Sequence, residues 1–355
     1  MASVSGAVFA RSRALAEEAL ARRRPLIESR AERGVPRDTH GDLRLGHVYY
    51  FPDREPPGDL VIIDCIEFNE RFRFADPVSD MAFLAMGLTL QGHRDLAGAF
   101  AEAYFRAAGD GEGRGLVPFY TSYRGAVRGK VEGLKLARPE IAEADRAVAL
   151  AKARGSWLLA LGELEAPGRR PCLVLVGGLP GTGKSTLARA VADRAGFRVI
   201  RSDLVRKELA GAAGAEQGPA AFGEGIYTAG WTERTYAECL RRAEGLLFEG
   251  ERVLVDANVR EEARRRAFLE AATRWGVPGL FVLCQAEPDV VRKRLASRRD
   301  DASDADWPIY LKAVETWEEP GPRTRSAVLT VSTGGTVEAA LSQAADALRR
   351  WDVSG

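Results

Sequence analysis

Residues 178–185 read Gly-Leu-Pro-Gly-Thr-Gly-Lys-Ser, which is the spacing of a Walker A phosphate-binding loop. The apolar run 172–176 precedes the loop and a helical pattern opens at Lys184, so the motif has the strand–helix setting that it requires. The glycines let backbone N–H groups approach a β-phosphate, and the helix N-terminus adds its positive end. The sequence therefore predicts a site for a nucleoside triphosphate, formed by Gly178, Gly181, Thr182, Gly183, Lys184, Ser185 and Thr186.

A carboxylate and an arginine follow the next apolar segment. Asp203 comes just after the candidate strand 197–201, and Arg206 stands three residues later. If a short helix starts at Leu204, both side chains point toward the cleft beside the phosphates. Asp203 would then act as a catalytic base, accepting the proton of a substrate hydroxyl that attacks the γ-phosphate. The alternative is that Asp203 caps a helix and Arg206 pairs with a surface acid.

Two oxygen-bearing residues are predicted to bind Mg²⁺. The hydroxyl of Ser185 closes the phosphate-loop motif, where it ligates the ion. Asp256 ends the apolar strand 252–256, a position from which an acid orients the ion or its waters. A structural hydrogen bond from Asp256 to the phosphate loop is the alternative.

A basic stretch later in the chain is a candidate lid. Arg294 and Arg298 stand four residues apart on a helical pattern, so they share a face. Arginines brought over the transferred phosphoryl group would neutralise the charge that builds up in the transition state. Arg298 is the first choice for a catalytic arginine, and the alternative is a solvated basic helix.

The second half of the chain alternates apolar and helical patterns. Such alternation predicts an α/β fold with a five-stranded parallel sheet covered by helices, whose ligands bind at the carboxyl ends of the strands. The helices are expected to begin near Lys184, Thr232, Glu261 and Pro288, with a last one at 337–350. The predicted strands are 172–176, 197–201, 252–256, 280–284 and 327–331.

The first half is expected to be mostly helical. Pro167-Gly168-Arg169-Arg170-Pro171 breaks the chain before the phosphate-loop strand, so we place domains at 1–165 and 171–355. A strand is predicted at 60–63. The predicted helices are 7–33, 79–90, 94–107 and 140–165.

The composition is that of a globular protein with two cores. The chain has 355 residues, 46% hydrophobic and 28% charged, with a net charge of +1 that argues against a broad nucleic-acid surface. The four cysteines form no metal-type pair, which favours buried thiols in a reducing compartment. No stretch approaches the length that spans a bilayer and no apolar leader is present, so the expected location is cytoplasmic.

The motifs of the second half resemble those of small P-loop kinases. The phosphate loop, Asp203 with Arg206, Asp256 and the basic stretch 294–299 are together similar to the group around gluconate kinase, polynucleotide 5′-hydroxyl kinase and zeta toxins. The resemblance covers residues 171–350. It implies that Asp203 is the base and that Arg206 contacts substrate or phosphate.

A second resemblance concerns the first half. Residues 40–47 read His-Gly-Asp-Leu-Arg-Leu-Gly-His and are similar to the catalytic loop of aminoglycoside phosphotransferase-like kinases. Asp42 would match the base and Asp64 the metal-binding aspartate, as in bacterial fusions of such a domain to an AAA-type P-loop kinase. His47 replaces the metal-binding asparagine, and an imidazole is a poor Mg²⁺ ligand. With only 39 residues before His40, we expect a truncated, inactive kinase C-lobe.

These expectations lead to one main hypothesis, an ATP- and Mg²⁺-dependent kinase that phosphorylates a hydroxyl acceptor. A small polyol such as a sugar fits the nearly neutral charge, and a polynucleotide 5′ end fits as well because it needs few phosphate contacts. The stretch 227–236 would line the acceptor pocket, although helix capping and core packing explain it equally well. The alternative is a nucleotide-dependent regulatory or toxin–antitoxin-like module without a small-molecule acceptor.

Overall fold

The structure is a computed structural model that describes residues 2–212, 224–297 and 305–351. It divides into two compact units, one formed by Met1–Glu165 with Thr273–Gly276 and the other by Ala166–Ala272 with Val277–Gly355. Each unit has its own core, and the two are described separately.

The first unit is built mainly from helices. Two pairs of short antiparallel strands accompany them, β1 with β4 and β2 with β3. The helices expected at 7–33, 79–90, 94–107 and 140–165 are present with ends shifted by at most three residues. The elements are α1 (Gly6–Glu32), β1 (Arg37–Asp38), β2 (Val48–Tyr50), β3 (Leu60–Ile62), α2 (Glu70–Arg73), β4 (Phe74–Ala75), α3 (Pro77–Leu90), α4 (Arg94–Ala108), α5 (Val117–Lys135) and α6 (Glu143–Leu164).

The sequence did not reveal α5, because its glycines recur every four residues and lower the helix propensity. Two of those glycines, Gly125 and Gly129, face α6. A Cβ atom on Gly129 would lie 2.7 Å from the ring of Trp157, and one on Gly125 would lie 3.1 Å from the carbonyl oxygen of Ser156. The close approach of α6 therefore compensates for the poor propensity of α5.

A buried arginine joins three segments of the first unit. Arg30, which is 1% exposed, donates from Nε to Asp76 Oδ2 at 2.7 Å and from Nη2 to Asp110 Oδ2 at 2.7 Å. Asp76 also caps α3 by accepting from the Val78 N–H. The side-chain hydrogen bonds from Arg30 lower the pKa of Asp110. One guanidinium group thus ties the end of α1 to the start of α3 and to the turn after α4.

The second half of the chain forms the predicted parallel sheet, in the order β6-β7-β5-β8-β9. All four neighbouring pairs are parallel. The elements are β5 (Cys172–Gly177), α7 (Lys184–Ala195), β6 (Arg198–Arg201), α8 (Ser202–Ala212), α9 (Ala229–Phe248), β7 (Arg252–Asp256), α10 (Glu262–Arg274), β8 (Gly279–Gln285), α11 (Pro288–Ser297), α12 (Trp307–Glu315), α13 (Pro322–Arg325), β9 (Val328–Ser332) and α14 (Val337–Arg350).

The central strands of this sheet are apolar over most of their length because both faces are covered. Every residue of β5 and of β7 is buried. On one face, Leu187 and Val191 of α7 and Ala344 of α14 pack against strand residues such as Val174. This packing holds the carboxyl ends of β5, β7 and β6 side by side.

The cysteines differ in their burial. All four are free, but Cys65 is partly exposed, so the expectation of buried thiols is wrong for that residue. It lies in the irregular stretch after β3.

The helices are short or polar in comparison with membrane spans. No helix among residues 2–212, 224–297 and 305–351 is long and apolar enough to cross a membrane.

Replacing Arg30 with leucine should destabilise the first unit by about 3–5 kcal/mol, because the buried carboxylate of Asp76 and the partly buried carboxylate of Asp110 lose their shared partner. Chemical unfolding followed by helix-sensitive circular dichroism measures the change. The matched control is Arg13→Leu, which removes an exposed pair with Glu17 on the same helix and should change little. Equal effects of the two changes would contradict the prediction.

Candidate active site

The phosphate loop connects β5 to α7 at the carboxyl edge of the sheet. Gly178 has a φ of +137°, and a Cβ atom there would lie 2.4 Å from the carbonyl oxygen of Cys284, so only glycine fits. Gly183 precedes α7 with a φ of +92°. The Lys184 Nζ atom donates to the carbonyl of Leu179 at 2.9 Å, which places its ammonium group over the loop.

Two residues from later in the chain hold the loop in place. Thr333 Oγ1 lies 2.5 Å from the carbonyl oxygen of Thr182 and 2.8 Å from that of Gln285. Arg294, on α11, donates to the carbonyl of Thr333 at 2.7 Å and to that of Thr182 at 3.4 Å. Arg294 thus braces the phosphate loop from the helix on which we predicted a lid. Arg298 lies outside the described residues.

Thr333 was not found by sequence reasoning, because a single threonine after a strand carries no motif. Its role depends on β9 lying beside β8, which brings residue 333 to the loop. An open cleft of about 350 Å³ lies at this place, lined by loop residues and by the start of α14. Ser185 and Thr186 are among its lining residues, as predicted for a nucleotide site.

Asp256 lies on the other side of the loop, at the end of β7. It is 5% exposed, and it pairs in register with Val176 on one side and with Arg201 on the other. The Nε atom of Arg201 lies 3.5 Å from its Oδ2. Asp256 and the hydroxyl of Ser185 are hard oxygen donors, the type that Mg²⁺ prefers. The donor set therefore fits the ion that the sequence predicts.

Asp203 lies in the first turn of α8, which begins at Ser202 and not at Leu204 as assumed from the sequence. Burial raises the pKa of the Asp203 carboxyl group above its ordinary value. The charge of Lys184 opposes this change and that of Asp256 adds to it, so the three groups interact electrostatically. The proposed base is therefore within the electrostatic influence of the phosphate-loop lysine.

Arg206 is buried and makes its hydrogen bonds within the protein. Its Nη1 atom donates to the carbonyl of Ile226 at 2.7 Å and to Thr232 Oγ1 at 3.3 Å. The guanidinium group also lies over the ring of Tyr227, 5.1 Å from its centre. Its charge offsets part of the rise that burial causes in the pKa of Asp203. These contacts tie α8 to the segment that leads into α9.

The predicted catalytic-loop residues of the first unit also lie together. Asp80 accepts hydrogen bonds from the backbone N–H groups of His40 and Gly41, at 2.7 and 2.9 Å. The buried ring of His47 lies between two acids, with Nε2 3.1 Å from Asp64 Oδ2 and Nδ1 3.8 Å from Asp42 Oδ2. Within the part of the chain that the structure describes, no group of three or more His, Cys, Asp or Glu side chains could hold a metal ion.

Comparisons with known proteins agree with this geometry in the second half. A family model described as an AAA domain matches residues 173–316. Uncharacterized proteins of Mycobacterium tuberculosis and Mycobacterium bovis are 34% identical over 304 residues, which is 85% of this chain. The chain spans 58% of the length of these relatives.

Two solved structures are similar to part of the chain at low sequence identity. A gluconokinase from Sinorhizobium meliloti 1021 is 20% identical over 51% of this chain and 92% of its own, with a TM-score of 0.38. A sugar kinase from Janibacter sp. HTCC2649 is 16% identical over 52% of this chain and 98% of its own, with a TM-score of 0.40. The phosphate loop on a five-stranded parallel sheet confirms the predicted α/β class, with a P-loop kinase-like fold in the second half.

Replacing Asp203 with asparagine should stabilise the protein at pH 7. Because the folded-state pKa of Asp203 is raised, stability falls as pH rises from the unfolded value of 3.8 through the folded value. The melting temperature of the variant should therefore exceed that of the wild type at pH 7, and the difference should shrink toward pH 4.

The matched control is Asp193→Asn, which changes an exposed carboxylate on α7 and should leave the melting temperature unaltered at both pH values. A lower melting temperature of the Asp203 variant at pH 7 would mean that the charge of this carboxylate is net stabilising, contrary to the prediction.

Proposed function

We propose that the chain is an ATP- and Mg²⁺-dependent kinase that transfers the γ-phosphoryl group to a hydroxyl acceptor. The observation that carries the proposal is the carboxyl group of Asp203, whose pKa is raised by burial and which interacts electrostatically with Lys184 and Asp256 at the mouth of the phosphate loop. A nucleotide binder without phosphotransfer has no use for a base at this place, since burying a carboxylate costs stability.

The proposed roles follow from the site. The loop amides and Lys184 bind the phosphates. Ser185 and Asp256 would hold Mg²⁺, which neutralises phosphate charge when bound. Asp203 accepts the proton of the attacking hydroxyl, and its raised pKa makes it a better base than an exposed aspartate.

Arg206, which follows the proposed base, and Arg298, which belongs to the predicted lid, are assigned different roles. Because Arg206 is hydrogen-bonded to Ile226 and Thr232, we assign it to positioning α8 against α9 and to tuning Asp203, with any substrate contact made through its neighbours. Arg298 is proposed to neutralise charge on the transferred group, on the sequence pattern alone.

The acceptor is proposed to be a small polyol or a polynucleotide 5′ end. The start of α9 follows the segment that Arg206 contacts, and it carries Trp231 and Thr232 close behind Tyr227. Thr232 is engaged by Arg206, and the ring of Trp231 lies 4.5 Å from the guanidinium of Arg234. These contacts hold the side chains that would line the acceptor pocket. A screen with labelled ATP against sugars, nucleosides, aminoglycosides and 5′-hydroxyl oligonucleotides decides between the acceptors.

For the first unit we propose a role outside phosphoryl transfer, as an aminoglycoside phosphotransferase-like lobe that presents substrate or binds a partner. Its support is the ring of His47, which lies within 3.1 Å of Asp64 and 3.8 Å of Asp42. An imidazole between these acids stands where such kinases hold Mg²⁺, and it is a poor ligand for that ion.

The catalytic assignment predicts separable effects of two substitutions. Lys184→Ala should weaken or abolish ATP binding, because the loop loses its phosphate-binding cation. Asp203→Asn should keep ATP binding but lower the rate of phosphotransfer by about 10²–10⁴-fold, the usual contribution of a general base. Equilibrium binding of ATP and transfer of labelled phosphate to the acceptor found in the screen measure the two effects, with Asp193→Asn as the control.

A wild-type rate of phosphotransfer in the Asp203→Asn variant would show that Asp203 is not the catalytic base. Slow ATP hydrolysis without any acceptor, together with a nucleotide-dependent protein complex, would favour the regulatory module over the kinase.

A further inference from the structure

Asn258 occupies a special position at the carboxyl edge of the sheet. It follows Asp256 by two residues, and its carbonyl accepts a hydrogen bond from the N–H of Gly178 at 3.3 Å. On the other side, Asp203 follows Arg201, the register partner of Asp256, also by two residues. Asn258 therefore follows the strand that lies between the phosphate-loop strand and the strand that leads to the proposed base.

The side-chain oxygen of Asn258 lacks a hydrogen-bond donor. Its Oδ1 atom is buried and has no partner among the described residues. Buried polar atoms are rarely left so in folded proteins, and each exception calls for an unseen donor such as water or a ligand. The oxygen is thus a ready acceptor beside the phosphate loop.

The backbone at this point is held in an unfavourable conformation. Val259, which is fully buried, has a φ of +44°, a value that β-branched residues rarely adopt. Its N–H donates to Tyr236 Oη at 2.9 Å, and Gly177 provides the room, since a Cβ atom there would lie 2.4 Å from Val259 Cγ2. Such strain persists where the surroundings over-determine it, commonly at functional sites.

The chemistry of the surroundings selects the donor. Asp256, which is proposed to hold Mg²⁺, ends the strand that leads directly to Asn258, so the ion and its waters are the donors expected nearest this oxygen. Mg²⁺ keeps several of its waters when it binds to proteins, and those waters are strong hydrogen-bond donors. We propose that Asn258 is a positioning residue whose Oδ1 accepts a hydrogen bond from a water on the Mg²⁺ that Ser185 and Asp256 hold.

This inference rests on the proposed function, and its test separates the two. The dissociation constant of ATP is measured for the full chain by calorimetry, once with excess Mg²⁺ and once with EDTA. The dissociation constant in EDTA divided by the dissociation constant with Mg²⁺ reports how much the ion strengthens ATP binding. For Asn258→Leu, an apolar change of similar size, we expect that ratio to fall by about 10–100-fold, as for other outer-shell partners of metals.

Two controls distinguish positioning of the ion from support of the loop. Asn258→Asp keeps an acceptor oxygen and adds a negative charge that attracts Mg²⁺, so its ratio should not fall below the wild-type value. In EDTA, Asn258→Leu should bind ATP as the wild type does, which also shows that the loop is folded.

An unchanged ratio for Asn258→Leu, or an equal loss of affinity with Mg²⁺ and with EDTA, would overturn the inference while the kinase proposal stands. An unchanged ratio with a raised KM for the acceptor would assign Asn258 to the acceptor instead. A wild-type protein whose ATP affinity does not depend on Mg²⁺ would overturn the inference together with the proposed role of Ser185 and Asp256.

Discussion

The close contact between the phosphate loop and the carboxyl edge of the sheet is the constraint on which the site depends. Gly178 lies against the carbonyl of Cys284 and donates its N–H to Asn258, so the loop is anchored to both neighbouring strand ends. Thr333 and Arg294 hold the carbonyl of Thr182 from the opposite side. A loop braced in this way presents its amides without reorganisation, which is how fixed dipoles stabilise phosphate charge.

The same arrangement explains why charged groups can be buried here. Asp256, Asp203, Lys184 and Arg201 interact within one small region, and the cations offset part of the cost of burying the acids. For Asp203 the offset is incomplete, since its pKa stays above the ordinary value. Active sites commonly contain a carboxylate whose burial lowers the stability of the protein. The raised pKa of such a carboxylate makes it a stronger base.

In the first unit, close packing and a buried ion cluster replace a sheet as the organising element. Glycines of α5 allow α6 to approach, and Arg30 links α1 to Asp76 and Asp110. The acids Asp42 and Asp64 come together around His47 within this helical frame. The side chain at the centre of this group, His47, is unsuited to Mg²⁺.

The sequence by itself determined the sheet and the nucleotide loop, because buried parallel strands read as apolar runs and the loop has a strict spacing. It also placed Asp203 and Asp256 at strand ends, since the position of a residue along a parallel strand decides which edge of the sheet it reaches. The sequence did not predict helix α5, because its stability comes from packing against α6 and not from the helix propensity of its own residues.

Only the tertiary structure decided the inward orientation of Arg206, the bracing by Thr333 and Arg294, and the unpartnered oxygen of Asn258. Each of these depends on contacts between residues that are distant in the chain or on the conformation of a single backbone bond. Hydrophobic periodicity and local motifs carry no information about either.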